Sequence, residues 1–276
     1  MMRNITEYHR PKQLDEALAL LTRSDVATVP LGGGTQLVAE ARREVQAVVD
    51  LRELGLSYVR REDDVLHIGA TTTLQALIDS AESAQAWGGE LARVLTYTAA
   101  RNLREQGTLA GTLMAAENNN PLAVLLLALD VSITIVSRHQ EMPPTVLLVD
   151  FLPQRQSLLH QSLITEITIP LPQPSEAVAF EKVGRTPADL PIVCAAVRAR
   201  FEAGIAREVR VGLGGVAAQP IRAIAVEQTL EGRAPDRSAI ETALESLSPL
   251  ADFLGSAEYR REMAAVLIWR AIEQLR

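Results

Sequence analysis

Apolar and polar positions follow two spacings along this chain, and the places where one gives way to the other divide it into elements. Ala17-Leu18-Ala19-Leu20-Leu21 carries helical spacing after Pro11 to Asp15, and Ser24-Asp25 breaks it, which predicts a first helix ending there. Val26 to Leu31 is short, β-branched and apolar, as a buried strand is, and the turn Gly32-Gly33-Gly34-Thr35 comes directly after it. A short helix over Gln36 to Glu40 and a second buried strand over Ala47 to Leu51 complete a small strand, helix, strand unit.

Tyr58 to Arg60 and Val65 to Ala70 predict a hairpin across the acidic turn Glu62-Asp63-Asp64. Thr71-Thr72-Thr73 then predicts a cap for a helix through Leu74, Leu77 and Ile78, because a threonine hydroxyl accepts from the first free amides of a helix. Next come a helix over Leu91 to Ala100, a glycine-bearing loop over Gln106 to Thr112, a helix over Leu122 to Asp130 and a strand over Ser132 to Val136, and this unit closes near Ile167 to Pro170. The proline cluster Pro170 to Pro174 reads as a linker. Beyond it, Val178 to Val183, Val193 to Phe201 and Val209 to Leu213 read as an antiparallel sheet with a turn at Ala203-Gly204, and helices over Ser238 to Leu247 and Tyr259 to Leu275 end the chain. The pattern gives an α+β architecture in three parts, residues 1–56, 57–172 and 173–276.

Composition narrows the partners. The 276 residues, 47% hydrophobic and 22% charged, suit a packed globular protein with a sizeable core. A net charge of -7 gives no basic footprint for nucleic acid. The longest apolar run, Pro121 to Leu129, is far short of the roughly 20 residues a bilayer span takes. The opening Met1 to Thr6 lacks the apolar core of a secretory signal, so a cytoplasmic location is expected.

The single cysteine, Cys194, excludes an internal disulfide, a four-cysteine zinc site and an iron–sulfur cluster held by this chain alone. Its apolar surroundings, Ile192 to Val197, make it a small buried hydrophobe rather than a nucleophile. His9, His67, His139 and His160 have no ligand-like spacing, so no metal site is expected.

Chemistry concentrates in the two glycine turns, since backbone N–H groups approach a phosphate closely only where no Cβ intervenes. Neither turn has the following Lys-Ser/Thr of a P-loop or the G-x-G-x-x-G of a Rossmann turn, which disfavours a nucleoside triphosphatase and a stand-alone NAD enzyme.

In these turns the sequence resembles the flavin-binding subunits of molybdopterin dehydrogenases. Leu31-Gly32-Gly33-Gly34-Thr35-Gln36-Leu37 is similar to that family's first pyrophosphate loop, and Leu103-Arg104-Glu105-Gln106-Gly107-Thr108-Leu109-Ala110-Gly111-Thr112 to its second. Ile68-Gly69-Ala70-Thr71-Thr72 matches a stretch between them. Phe180 to Arg185, Gly212 to Ala217 with Pro220-Ile221-Arg222, and Ser256 to Arg261 extend the resemblance over essentially the whole chain.

The resemblance implies a two-lobed FAD-binding domain of PCMH type, then a small α+β C-terminal domain whose antiparallel sheet packs on helices. It implies FAD held at its diphosphate by amides of Gly32 to Thr35 and Gly107 to Thr112, with hydroxyls of Thr35, Thr108 and Thr112 nearby and the isoalloxazine near the C-terminal domain and Lys182. It implies a molybdopterin-binding large subunit and a [2Fe-2S] small subunit as partners, assembled as a heterotrimer or a dimer of heterotrimers, with no molybdenum or iron in this chain and no side-chain acid, base or nucleophile.

Three positions depart from the family pattern. Gln36 replaces an acidic residue, and Ala110 replaces a glycine, at about 1 kcal/mol or more if its φ is positive. Pro121 stands where an acid would meet the ribityl chain, leaving Glu117 and the three asparagines Asn118, Asn119 and Asn120 as replacement partners or as parts of a polar loop. The rival expectation is therefore a homologue that has lost FAD and serves as a scaffold. A stand-alone flavin oxidase is weaker, since no substrate-binding constellation accompanies the turns.

Overall fold

The computed structural model describes residues 4–40, 42–138, 144–159, 161–187 and 189–276, so His139 and His160 lie outside the described residues. Packing divides the chain into two compact units: Met1–Glu82, Ala100–Ala115 and Ser132–Ile169 form the first, and Ser83–Ala99, Ala116–Val131 and Pro170–Arg276 the second. No helix among the described residues is long and apolar enough to cross a membrane.

The first unit holds two sheets. In one, β1 (Glu7–His9), β2 (Thr28–Leu31) and β3 (Ala47–Asp50) run parallel in the order β1-β3-β2. The central β3 is buried at all four residues, three of them the apolar run Ala47 to Val49 and the fourth Asp50, which accepts from the Tyr8 hydroxyl and pairs with Arg52. The helix Leu14–Leu21 packs Ala17 and Leu18 against Val49, Leu51 and Leu163. The other sheet is β4 (Val59–Glu62), β5 (Val65–Gly69), β6 (Ser132–Ser137), β7 (Thr145–Leu147) and β8 (Ser162–Pro170), in the order β4-β5-β8-β6-β7. Asp63 turns the β4–β5 hairpin at φ 52, a conformation aspartate tolerates.

The second unit is built on one antiparallel sheet, β9 (Glu176–Val183), β10 (Val193–Glu202), β11 (Ile205–Gly214) and β12 (Ile221–Arg222), in the order β12-β11-β10-β9. Ala203 and Gly204, with φ of 49 and 81, join β10 to β11 in the left-handed conformation that matches strand twist. Val193, Ala195 and Val197 alternate into a core shared with Leu267, Ile268 and Ala271 of the helix Ala257–Leu275. The helix Pro121–Ala128 is buried at every residue, as its unbroken apolar sequence demands. A Cβ on Gly212 would come 2.2 Å from the Val124 carbonyl oxygen, so this helix rests directly on the β11 backbone.

Candidate functional site

The first turn leaves β2 at Leu31 and enters the helix Thr35–Glu40 through Gly34 at φ +73. A Cβ on Gly33 would lie 1.7 Å from the carbonyl oxygen of Gln106, so the first turn is pressed onto the backbone of the second. The N–H groups of Gly32 through Leu37 have no acceptor among the described residues, and the same six residues line a cavity of about 540 Å³. Successive unpaired amides in a turn form a concavity suited to anionic oxygens, and this volume is in the range of small-molecule sites.

The second turn is different. Gly107 N–H donates to Leu103 O at 2.7 Å, Leu109 N–H to Thr72 O at 2.9 Å, Ala110 N–H to Ala70 O at 3.3 Å and Thr112 N–H to Thr108 O at 2.9 Å. Gly111 N–H donates to Thr108 Oγ1 at 3.2 Å, which caps a helix over Leu109–Met114. The open loop expected through Thr112 therefore ends at Thr108, and Ala110 occupies a helical position outside the left-handed region, with no strain from its methyl group. Thr108, Ala110 and Gly111 line the cavity. Gly107 and Thr112 serve the fold instead: Gly107 O accepts from Leu74 N at 2.9 Å, and the Thr112 hydroxyl donates to Thr108 O at 2.9 Å.

Val29, Leu51, Met114, Leu163 and Ile164 give the cavity an apolar wall, and Gln156 and Thr71 add polar atoms. Its charged lining is one pair, Glu40 with Arg42 at 2.7 Å, and Gln36 donates to Glu40 at 2.9 Å. The Gln36 amide and the Arg42 guanidinium hold the Glu40 carboxyl below its ordinary range. With the charges paired, an anion here is met by backbone dipoles.

The donor set fits the diphosphate of a dinucleotide. Six consecutive residues with free amides line the space, and the buried Thr71 Oγ1 in its wall has no partner among the described residues. Thr71 was within reach of the sequence, inside the stretch Ile68 to Thr72; Met114, Gln156, Leu163 and Ile164 come from distant segments with no motif to mark them.

The remaining expected residues belong to the second unit. Asn120 Oδ1 accepts from Ala123 N at 3.0 Å and caps the helix Pro121–Ala128, with Pro121 at its first position, where the missing N–H costs nothing. Asn118 Nδ2 donates to Ala217 O and Asn119 Nδ2 to Pro191 O, while Glu117 is exposed. Lys182 Nζ donates to the carbonyls of Pro187 and Asp189 and lies 4.4 Å from the centre of the Tyr97 ring, and burial draws its pKa down. Cys194 is fully buried and its thiol is pushed up by that burial, so it packs as a hydrophobe.

The family model of the FAD binding domain in molybdopterin dehydrogenase matches residues 3–172, and that of the CO dehydrogenase flavoprotein C-terminal domain matches residues 178–275. The carbon monoxide dehydrogenase medium chain of Afipia carboxidovorans is 30% identical over 281 residues, which cover 97% of this chain and 96% of that protein. The glyceraldehyde dehydrogenase medium chain of Sulfolobus acidocaldarius is 26% identical, with 97% of each chain covered. Among solved structures, reconstituted CO dehydrogenase from Oligotropha carboxidovorans matches with a TM-score of 0.87 at 30% identity, over 99% of this chain and 98% of that one.

Proposed function

Because the chain belongs to the family of FAD-binding subunits of molybdopterin dehydrogenases, and so is an oxidoreductase subunit, we propose that it carries FAD and passes electrons within a molybdenum hydroxylase complex. In this reading a large partner subunit holds molybdopterin and oxidises the substrate, [2Fe-2S] clusters on a small partner relay the electrons, and this chain delivers them to an acceptor. FAD would supply the redox chemistry, accepting electrons and giving them up. The chain's own residues bind and orient it: the amides of Gly32 to Leu37 would hold the diphosphate, with Thr108, Ala110 and Gly111 closing the floor beneath it. The apolar wall would exclude water from the site. We also propose residues 1–56 and 57–172 as the two lobes of the FAD-binding region and 173–276 as the C-terminal domain, a cytoplasmic location, and assembly as a dimer of heterotrimers.

The observation that carries this reading is the row of six consecutive residues with unpaired amides that line one cavity. The rival reading, a scaffold that has lost FAD, draws on the second turn, whose amides, that of Thr108 apart, are already spent, and on Asn120, whose side-chain oxygen caps a helix. The visible spectrum of the full chain decides between them. Flavin absorption in the blue and near ultraviolet, retained through gel filtration, is expected, together with co-purification of a molybdenum subunit and an iron–sulfur subunit; a protein that stays colourless after incubation with FAD sinks the flavoprotein reading.

A further inference from the structure

Thr71 opens a run of three threonines, and its two neighbours are both bonded. The Thr72 hydroxyl donates to Tyr58 O at 2.9 Å and accepts from Tyr58 N at 3.0 Å, and the Thr73 hydroxyl accepts from Ala76 N at 3.1 Å. Thr71 is only 9% exposed, its Oγ1 has no partner among the described residues, and it lines the cavity that holds the first turn. Nothing about its position is loose: Thr71 N–H donates to Leu56 O at 2.9 Å, and the flanking Ala70 N–H to Thr165 O at 3.0 Å.

A buried hydroxyl without a partner destabilises the chain that carries it, so a threonine held this way is expected to have its partner outside the protein. The second turn explains what that partner lacks. Its amides, that of Thr108 apart, are engaged inside the fold, so a ligand oxygen reaching that part of the cavity finds few free N–H groups there, and a threonine hydroxyl in the wall can add a donor.

We propose that Thr71 is a positioning residue of the cofactor site, its hydroxyl donating a hydrogen bond to a diphosphate oxygen of the bound dinucleotide. The proposal rests on the FAD reading above and assigns the ADP portion of the ligand to the first unit's cavity. It also carries a signature of opposite signs. Thr71→Val keeps the shape and removes an unpaired polar atom, so the cofactor-free protein should be as stable as the parent or more so, while cofactor affinity falls.

The test uses the full chain stripped of flavin, with FAD binding followed by fluorescence quenching and ADP as competitor. Thr71→Val should bind FAD and ADP each about tenfold more weakly, the order of one charge-assisted hydrogen bond, while Thr71→Ser stays within about threefold of the parent. The melting temperature of cofactor-free Thr71→Val should not fall. Parent-like FAD affinity in Thr71→Val overturns the proposal and leaves the flavoprotein reading standing. A weakened FAD affinity with unchanged ADP affinity overturns the assignment to the diphosphate. Failure of the parent itself to bind FAD overturns both.

Discussion

The two glycine turns look alike on paper and do opposite work in the fold. The first, at the end of β2, has six consecutive N–H groups with no acceptor among the described residues. The second gives all its N–H groups but that of Thr108 to Leu103, Thr72, Ala70 and Thr108, and becomes the start of a helix. A glycine in the first turn is needed so that two backbones can touch; an alanine in the second is harmless because the residue is helical. Glycine content alone therefore says little about ligand binding. What matters is whether the amides it exposes have somewhere else to go.

Three substitutions break or sharpen this contrast. The largest effect is expected from Gly33→Ala: a Cβ 1.7 Å from a backbone oxygen forces the turns apart, lowering stability by about 1–3 kcal/mol and emptying the cofactor site. Thermal denaturation and the flavin content of the purified protein measure it, and a variant that keeps full flavin and the parent melting temperature would show that the turns are not in contact. Gly34→Ala should cost less, about 1 kcal/mol, because the strain is confined to one residue at φ +73. Here FAD affinity should fall severalfold while the fold persists, since the amide of residue 34 is tilted rather than removed. The smallest effect is expected from Ala110→Gly, which restores the family's glycine: stability drops by about 0.5–1 kcal/mol, as for glycine in any helix, and FAD affinity does not rise. A gain in affinity would mean that the second turn contributes amides after all.

Much of the fold was legible, and the reasons are local. The strands at Val29 and Val48, the hairpin around Asp63, the turn at Ala203-Gly204 and the α+β layout come from spacing and turn chemistry. The family resemblance, read from the turns and from Gly212 to Ala217, is borne out by family models over residues 3–172 and 178–275. The illegible parts depend on partners distant in sequence. Gln106 to Thr112 reads as a glycine-bearing loop, yet the Thr108 cap and contacts to Thr72 and Ala70 turn Leu109–Met114 into a helix in spite of Gly111. The helix Leu148–Leu158 is disguised by Pro153, and β1 by its three half-exposed residues. Asn118 to Asn120 suggested cofactor partners; their side chains instead stitch one loop to Ala217, Pro191 and the next helix. The free hydroxyl of Thr71 is visible only once its neighbours' bonds are known.

The segments Ser83–Ala99 and Ala116–Val131 precede residue 172 in the chain but pack with the residues beyond it. During synthesis, the wholly apolar helix Pro121–Ala128 leaves the ribosome long before the β10–β11 hairpin that will cover it. The helix Glu90–Thr98 is made before Pro121–Ala128 and packs on one side of it, but the side that meets the sheet must wait for more than 80 residues to emerge. A fragment cut at the border between the two family models should therefore precipitate rather than fold, because it exposes the side of this helix that the sheet covers.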